Sequence, residues 1–214
     1  MAGREGRQYT ERGQTVVTRR RKLILVGGGG HCRSCIDVIE QEGRYEIAGI
    51  LDQYESIGQK VLGYSVVGSD DSMQEYAREG YSFLITVGQT RTSSLRKKLY
   101  TKLQTYDAHM ATVISPRAYV SRHASLGKGT IIMHDALVNA NASIGANCIV
   151  NSKALIEHDA RIEDFCHIST AAVINGGVVV KEGSFFGSNA VSKEYVETEI
   201  NDFIKAGTTF RGQP

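Results

Sequence analysis

Two histidines of one stretch have the surroundings that proton-transfer chemistry needs. His158 is third in the hexad IEHDAR, between Glu157 and Asp159, and His167 follows in CHIS. Imidazole is the side chain whose ordinary pKa, about 6.5, suits proton transfer at neutral pH. A carboxylate beside it can fix its tautomer and stabilise the imidazolium formed when it takes a proton. His158 with Asp159 therefore reads as a general base with its support, and a solvated surface histidine is the plainer alternative. Taking His134, His158 and His167 as three zinc ligands would suit a metal-dependent hydratase, but they lack a ligand spacing and no metal is expected. A second cluster is Gly27-Gly28-Gly29-Gly30-His31. In a G-x-G-x-x-G fingerprint begun at Gly27 or Gly28 the sixth position is Cys32 or Arg33, so the third glycine is missing and NAD or FAD is disfavoured. What remains is a loop whose amides can approach a phosphate at a helix N-terminus. Asp52 ends the run EIAGILD, where a ribose or base edge is usually read, or simply closes a tight turn. Cys32 and Cys35 form a C-x-x-C with no second Cys/His pair to complete a zinc site, and Cys148 and Cys166 read as packed thiols.

These residues need elements to hold them. From Ile114 every sixth residue is a sizeable hydrophobe: Val120, Leu126, Ile132 and onward to Val180 and Phe186 without a gap. Four residues after each comes a mostly small one, from Ala118 and Ala124 to Ser184 and Ala190. A period of six is neither helical nor simple alternation. It fits a parallel β-helix of hexapeptide repeats, with the large residue filling the axis of a triangular prism and the small one at its corners. Past Val191 the register is lost, so the remaining residues read as an irregular or short-strand tail that caps the solenoid.

Upstream the pattern changes. Residues 22–26 (KLILV) read as a buried strand, followed by the glycine loop and a helix reaching Gly43. Residues 46–52 and 82–87 read as further strands, 70–80 as a short helix, and 109–113 as a last strand. A helix from Thr90 would show Leu95, Leu99, Leu103 and Tyr106 on one face. Strands alternating with helices imply a small parallel sheet. The expected organisation is a polar arm or leader over 1–21, a Rossmann-like α/β domain over 22–113, and a parallel β-helix with its cap over 114–214.

Composition narrows the partners. With 214 residues, 22% charged, 41% hydrophobic and a net charge of +2, the chain is ordinary for a globular protein and too weakly basic to argue for nucleic acid or an anionic membrane. No apolar run approaches the roughly 20 residues of a membrane span. Residues 1–21 contain no apolar signal-peptide core. Four cysteines without a secretory signal fit a reducing cytoplasm.

The run KLILVGGGGH, the segments ILD and ITVGQTR, the hexad array carrying IEHD and CHIS, and NGG together resemble the bacterial acetyltransferases of nucleotide-linked amino sugars. The chain is similar to the bacillosamine-pathway and perosamine N-acetyltransferases, and more loosely to sialic acid O-acetyltransferases. The resemblance spans 22–214 and implies a left-handed β-helix, a homotrimer with active sites between subunits, and acetyl-CoA as donor in a groove between neighbouring prisms. Carried over by motif, His158 is the general base and Asp159 its support. His167 lies beside the acetyl thioester, and the backbones of Gly176 and Gly207 line the coenzyme groove. Gly29, Gly30 and His31 contact the nucleotide sugar, Asp52 and Gln53 read its base or ribose, and Gly88 admits a close backbone approach. Relatives often carry Glu after the base and two acids after the second strand, where this chain has Asp159 and Gln53. The tail AGTTFRGQP also lacks the usual G-x-P-A ending. The function so implied is acetyl-CoA-dependent N-acetylation of the 4-amino group of a nucleotide-linked amino-deoxysugar by direct transfer. A sialic acid O-acetyltransferase and a non-catalytic solenoid that binds a nucleotide sugar are the alternatives.

Overall fold

The computed structural model describes residues 20–212 and the short antiparallel pairing of Gln8–Tyr9 with Thr15–Val16. The rest of the expected polar arm lies outside the described residues. The α/β part is built from β1 (Arg21–Val26), α1 (Gly30–Glu42), β2 (Tyr45–Leu51), β3 (Lys60–Val61), β4 (Tyr64–Gly68), α2 (Met73–Arg78), β5 (Ser82–Ile85), α3 (Ser94–Thr105) and β6 (His109–Met110). The sheet order is β3-β4-β2-β1-β5-β6, parallel throughout except for the β3–β4 hairpin. β1 is central and covered on both faces, which is why KLILV is apolar at consecutive positions rather than alternate ones. α3 departs from its expected face. Leu95 is 51% exposed, whereas Arg96 is buried with Leu99, Tyr100 and Leu103.

From Val113–Ile114 onward, two-residue strands recur every hexad and stack into three parallel sheets, the faces of a left-handed β-helix. The first face runs through Ile131–Ile132, Ile149–Val150, His167–Ile168, Phe185–Phe186 and Phe203–Ile204. The second runs from Tyr119–Val120 through Leu155–Ile156 to Thr209–Phe210, and the third from Ser125–Leu126 to Val179–Val180. In each strand the second residue points inward, so Ile132, Val138, Val150, Ile156, Ile168 and their successors form one apolar axis. The corners turn on a residue of positive φ, among them Asp135, Asn141, Asp159, Gly177, Asn189 and Gly207. Gly, Asn and Asp suit that conformation because they reach the left-handed region at least cost. The small residue follows the turn and is buried inside the corner, as at Ala142, Ala160 and Ala190.

Of the irregular or short-strand tail expected, the chain forms short strands, and the hexad register is not lost. Hexads continue in register through Ser192, Thr198, Ile204 and Phe210, and Val191–Ser192, Phe203–Ile204 and Thr209–Phe210 pair with the coils before them. The pattern is hard to read because hydroxyls replace hydrophobes at two inward positions. Both are satisfied where they sit: Ser192 Oγ accepts from the Asn175 amide at 2.8 Å, and Thr198 Oγ1 from the Lys181 amide at 2.8 Å. A hydroxyl so paired avoids the cost of an orphaned buried polar group.

The sheet is fastened to the first face of the prism. Ile36, Val38 and Ile39 of α1 and Ile131, Met133 and Ile149 of the coils share one buried cluster. On the other side the guanidinium of Arg96 donates to the carbonyls of Ile85 (3.1 Å) and Val87 (2.6 Å) in the sheet. It also donates to the carbonyl of Asn147 (2.8 Å) and its Oδ1 (2.5 Å) in the solenoid. Burial lowers its pKa to about 10, so the group stays charged at neutral pH.

Candidate active site

His158 and Asp159 occupy the corner between the second and third faces. Asp159 is the left-handed residue of that corner, with φ 61°. This turn brings its carboxylate back against the preceding side chain, and Asp159 Oδ2 lies 2.7 Å from His158 Nδ1. Asn141, one coil earlier on the same edge, donates to Asp159 Oδ1 at 2.6 Å and fixes the carboxylate from the other side. Both side chains face solvent: those of His158 and Asp159 are 54% and 52% exposed. The hydrogen bond to Asp159 raises the His158 pKa, while those from Asn141 and His158 hold the Asp159 carboxyl below its ordinary value. With Nδ1 held by the carboxylate, Nε2 is the atom left to accept a proton.

Gly176 lies one coil further on, directly against this ring. A methyl group added there would stand 3.0 Å from His158 Cε1 and 3.1 Å from Nε2. At some of the equivalent corners the first amide is capped by a side chain, as His158 N is by Glu157 Oε2 (3.2 Å) and Ser152 N by Asn151 Oδ1 (2.8 Å). Asn175 instead turns its amide group to the carbonyl of Ser192 at 2.6 Å, and no described residue accepts from the Gly176 N–H. An open backbone donor therefore lies beside the base.

His167 belongs to a different place. It is 7% exposed, on the outer side of the first face, where the sheet covers the prism. Its Nδ1 is 2.6 Å from the Gln89 carbonyl and its Nε2 is 3.2 Å from Asn151 Nδ2. These partners define one tautomer, with Nδ1–H donating and Nε2 accepting. Burial lowers its pKa to about 4, so the ring is neutral. His31 lies near it, with ring centroids 6.4 Å apart, and burial with the nearby Arg96 charge lowers its pKa to about 3. His31 Nε2 is buried and has no hydrogen-bond partner, and Gly88 approaches its Cβ closely.

The glycine loop is open above its middle. A side chain at Gly29 or Gly30 would meet nothing within 4 Å, and Gly29 caps α1 with no side-chain bond to its first amides. Uncapped amides at a helix start suit an anion. Asp52 holds this loop by its edge, accepting from Gly28 N at 2.9 Å and from Gln53 N at 2.8 Å. Gly27, with φ 103°, is where glycine is demanded by packing, because any Cβ there would strike Val87. Gly207 stands apart from all of these, at a corner between the first and second faces near the end of the rod. Beside it is an open depression of about 430 Å³ lined in part by Phe203, Lys205, Thr208 and Arg211. The expected site residues thus fall apart in one chain: His158, Asp159 and Gly176 share one edge, His167, His31 and Gly88 lie under the sheet, Gly29, Gly30, Asp52 and Gln53 line the glycine loop, and Gly207 stands alone.

Cys32, Cys35, Cys148 and Cys166 are free and buried, and burial raises the thiols of Cys32, Cys35 and Cys166. Among the described residues no three His, Cys, Asp or Glu side chains converge as metal ligands, and no helix is long and apolar enough to cross a membrane.

In fold the chain is similar to the acyltransferases of the hexapeptide-repeat class. Residues 22–103 match the PglD N-terminal domain family. Over almost its whole length the chain resembles the nucleotide-sugar N-acetyltransferases. A histidine-to-asparagine mutant of perosamine N-acetyltransferase from Caulobacter crescentus, in complex with CoA and GDP-perosamine, superimposes with a TM-score of 0.83 at 29% identity, covering 89% of each chain. The acetyltransferase domain of PglB from Neisseria gonorrhoeae FA1090 gives 0.82 at 25% identity, over 90% of this chain and 92% of that one. The same domain in complex with acetyl coenzyme A gives 0.81. No curated protein sequence matches the chain.

Proposed function

We propose that the chain transfers an acetyl group from acetyl-CoA to the 4-amino group of a nucleotide-linked amino-deoxysugar, by direct attack and without an acyl-enzyme. The observation that carries this reading is the exposed His158–Asp159 pair beside the open amide of Gly176. An ammonium group has no lone pair, so the acceptor must react as the free amine and shed a proton as it adds. His158 Nε2 takes that proton, and Asp159 stabilises the imidazolium through Nδ1. As the amine nitrogen bonds to the thioester carbon, charge builds on the carbonyl oxygen, where the Gly176 N–H supplies a preorganised donor. The carbon–sulfur bond then breaks, and the proton held by His158 passes to the departing sulfur.

The division of labour follows the two parts of the chain. Residues 22–113 hold the nucleotide sugar, with the amides at Gly29 and Gly30 on the diphosphate, His31 Nε2 on the sugar, Asp52 and Gln53 at the nucleoside and Gly88 giving close access. Residues 114–214 hold acetyl-CoA along Gly176 and Gly207, with the neutral ring of His167 as a wall near the acetyl group. His158 and His167 lie on different parts of the prism surface, so a complete site needs a neighbouring copy. The outer side of the second face suits that copy. Tyr119, Leu137, Leu155, Val173 and Val191 form an apolar ladder there, and Tyr119 and Val191 are 60% and 37% exposed. His158 stands at its margin. A trimer of prisms would bury the ladder and bring the two groups together.

Perosamine N-acetyltransferase from Caulobacter crescentus holds CoA and GDP-perosamine, an amino-sugar acceptor. Nothing comparable speaks for a sialic acid acceptor. The test is thiol release from acetyl-CoA over a panel of UDP-, dTDP- and GDP-linked 4-amino sugars, each with its 4-hydroxy counterpart. Turnover confined to amines is expected; equal turnover of the hydroxy sugars, or no thiol release with any of them, overturns the reading. Co-assembly tests the shared site. His158→Ala and His31→Ala chains, each inactive alone, should regain activity at roughly a quarter of the sites when mixed and reassembled.

A further inference from the structure

The column of corner residues that carries Asp159 continues below it. Residues one coil apart stack, so Asn141, Asp159, Gly177 and Tyr195 follow one another along a single edge. The backbone bonds run in step: Gly177 N donates to the His158 carbonyl, and Tyr195 N to the Gly176 carbonyl, each at 3.1 Å. Asn141 and Asp159 serve His158. Tyr195, at the other end, has no role in the core. It is 77% exposed and adopts φ 54°, a conformation that a bulky side chain rarely takes and that asparagine or glycine would take without strain. Phe165, another aromatic at a corner of positive φ, packs edge-on against Tyr100 with centroids 5.3 Å apart. Tyr195 makes no such contact among the described residues. Its ring lies against the α-carbon of Gly177, where an added methyl would come within 2.3 Å of Cδ1.

Gly176 and Gly177 are the only adjacent glycines in the repeats. The His158 imidazole packs against Gly176 and the Tyr195 ring against Gly177, each in the room a side chain there would need, so both rings lie along one edge beside glycine backbone and the open Gly176 N–H.

We infer that Tyr195 is a donor-binding residue, its ring packing against the thioester and the adjoining alkyl-amide arm of the acyl-CoA. This rests on the acetyltransferase reading of the same edge. A flat amphipathic ring suits that arm, which alternates methylenes with amides. The strained corner is retained because the ring is wanted there.

Tyr195→Asn removes the ring and inserts a residue that this corner conformation favours, so the fold is kept. Tyr195→Phe keeps the ring. CoA is titrated calorimetrically into each intact protein without acceptor, and KM is measured separately for acetyl-CoA and for the amino sugar. For Tyr195→Asn, CoA affinity should fall about tenfold and the acetyl-CoA KM rise to match, with the acceptor KM and the sedimentation coefficient unchanged. Tyr195→Phe should stay within about threefold of the parent. Unchanged CoA affinity in Tyr195→Asn, a rise confined to the acceptor KM, or dissociation of the assembly overturns the inference. If the parent protein itself binds no CoA, the acetyltransferase reading fails with it. If the parent binds CoA and Tyr195→Asn binds it equally, only the role of Tyr195 is lost.

Discussion

His158 Nδ1 lies 2.7 Å from Asp159 Oδ2, and this contact between sequence neighbours exists because Asp159 is left-handed, with φ 61°. In an extended strand the two side chains would point to opposite faces. The corner turns them to the same side and leaves Nε2 free. Replacing His158 with Ala or Gln should lower kcat by about 10² to 10⁴-fold, the range for loss of a positioned acid–base group. The side chain is half exposed and fills no core space, so the melting temperature should not change. Steady-state kinetics with saturating substrates, beside a thermal melt, checks both halves.

The acid limb of the pH–rate profile should report the pair. Asp159 raises the His158 pKa above its ordinary value, and only neutral His158 accepts a proton, so kcat/KM should climb through a midpoint above 6.5. Asp159→Asn removes the charge that raises it and leaves only a neutral amide oxygen as acceptor. The midpoint should then move to lower pH while the plateau rate falls. A midpoint that stays put in Asp159→Asn would show that the carboxylate does not act on the imidazole.

Gly176→Ala tests the closeness of ring and backbone. Gly176 is not among the glycines of positive φ, so alanine fits the backbone, yet its methyl would press on His158 at 3.0–3.1 Å. The ring must give by a few tenths of an ångström, less than the displacement near 1 Å that costs about 10²-fold in rate. Activity should fall by up to about tenfold with melting temperature nearly unchanged; a crystal structure of the variant should display the displaced imidazole.

Arg96 joins the sheet to the solenoid, and its loss should be felt as stability. Arg96→Ala strands the carbonyls of Ile85, Val87 and Asn147 in a buried space, at a cost of about 1–3 kcal/mol for each one left without a partner. Arg96→Lys should recover only part, since an ammonium cannot span the fork of acceptors. Urea unfolding of both variants measures the difference.

Acid should loosen the junction between sheet and prism. His167 and His31 are held neutral when folded, with pKa values of about 4 and about 3, against 6.5 when unfolded. Between these values the unfolded chain binds more protons, so stability falls as pH drops below about 6.5 and goes on falling to about 4. The His167 share is on the order of 3 kcal/mol. His167→Asn keeps a donor for the Gln89 carbonyl and removes the titration. Its urea midpoint should therefore vary less between pH 7 and pH 4.5 than that of the parent.

The sequence spoke most clearly where one rule repeats. Hydrophobes every sixth residue from Ile114 to Phe186 can be buried only by a prism, and KLILV before a glycine run can be buried only as an inner strand. The same rule hid the last coils, because Ser192 and Thr198 point inward as hydroxyls whose partners, the amides of Asn175 and Lys181, come from the coil before. Leu95 was legible as a core residue by helical spacing, yet Arg96 holds that place. No local pattern announces a buried guanidinium, since its acceptors come from β5, the loop after it and a distant corner.

By itself the sequence determined the period, and with it the inward axis, the parallel sheet upstream and the pairing of His158 with an acid one residue on. These are local facts, set by side-chain size and by chain steps of two and six. Only the tertiary structure decided which surfaces those residues share. It set His167 beneath the sheet as a neutral ring, laid Gly176 and Tyr195 along the edge of His158, and tied the two halves through Arg96. Such neighbours are brought together by coil stacking and by docking across the prism, which depend on how distant segments close against one another rather than on any spacing along the chain.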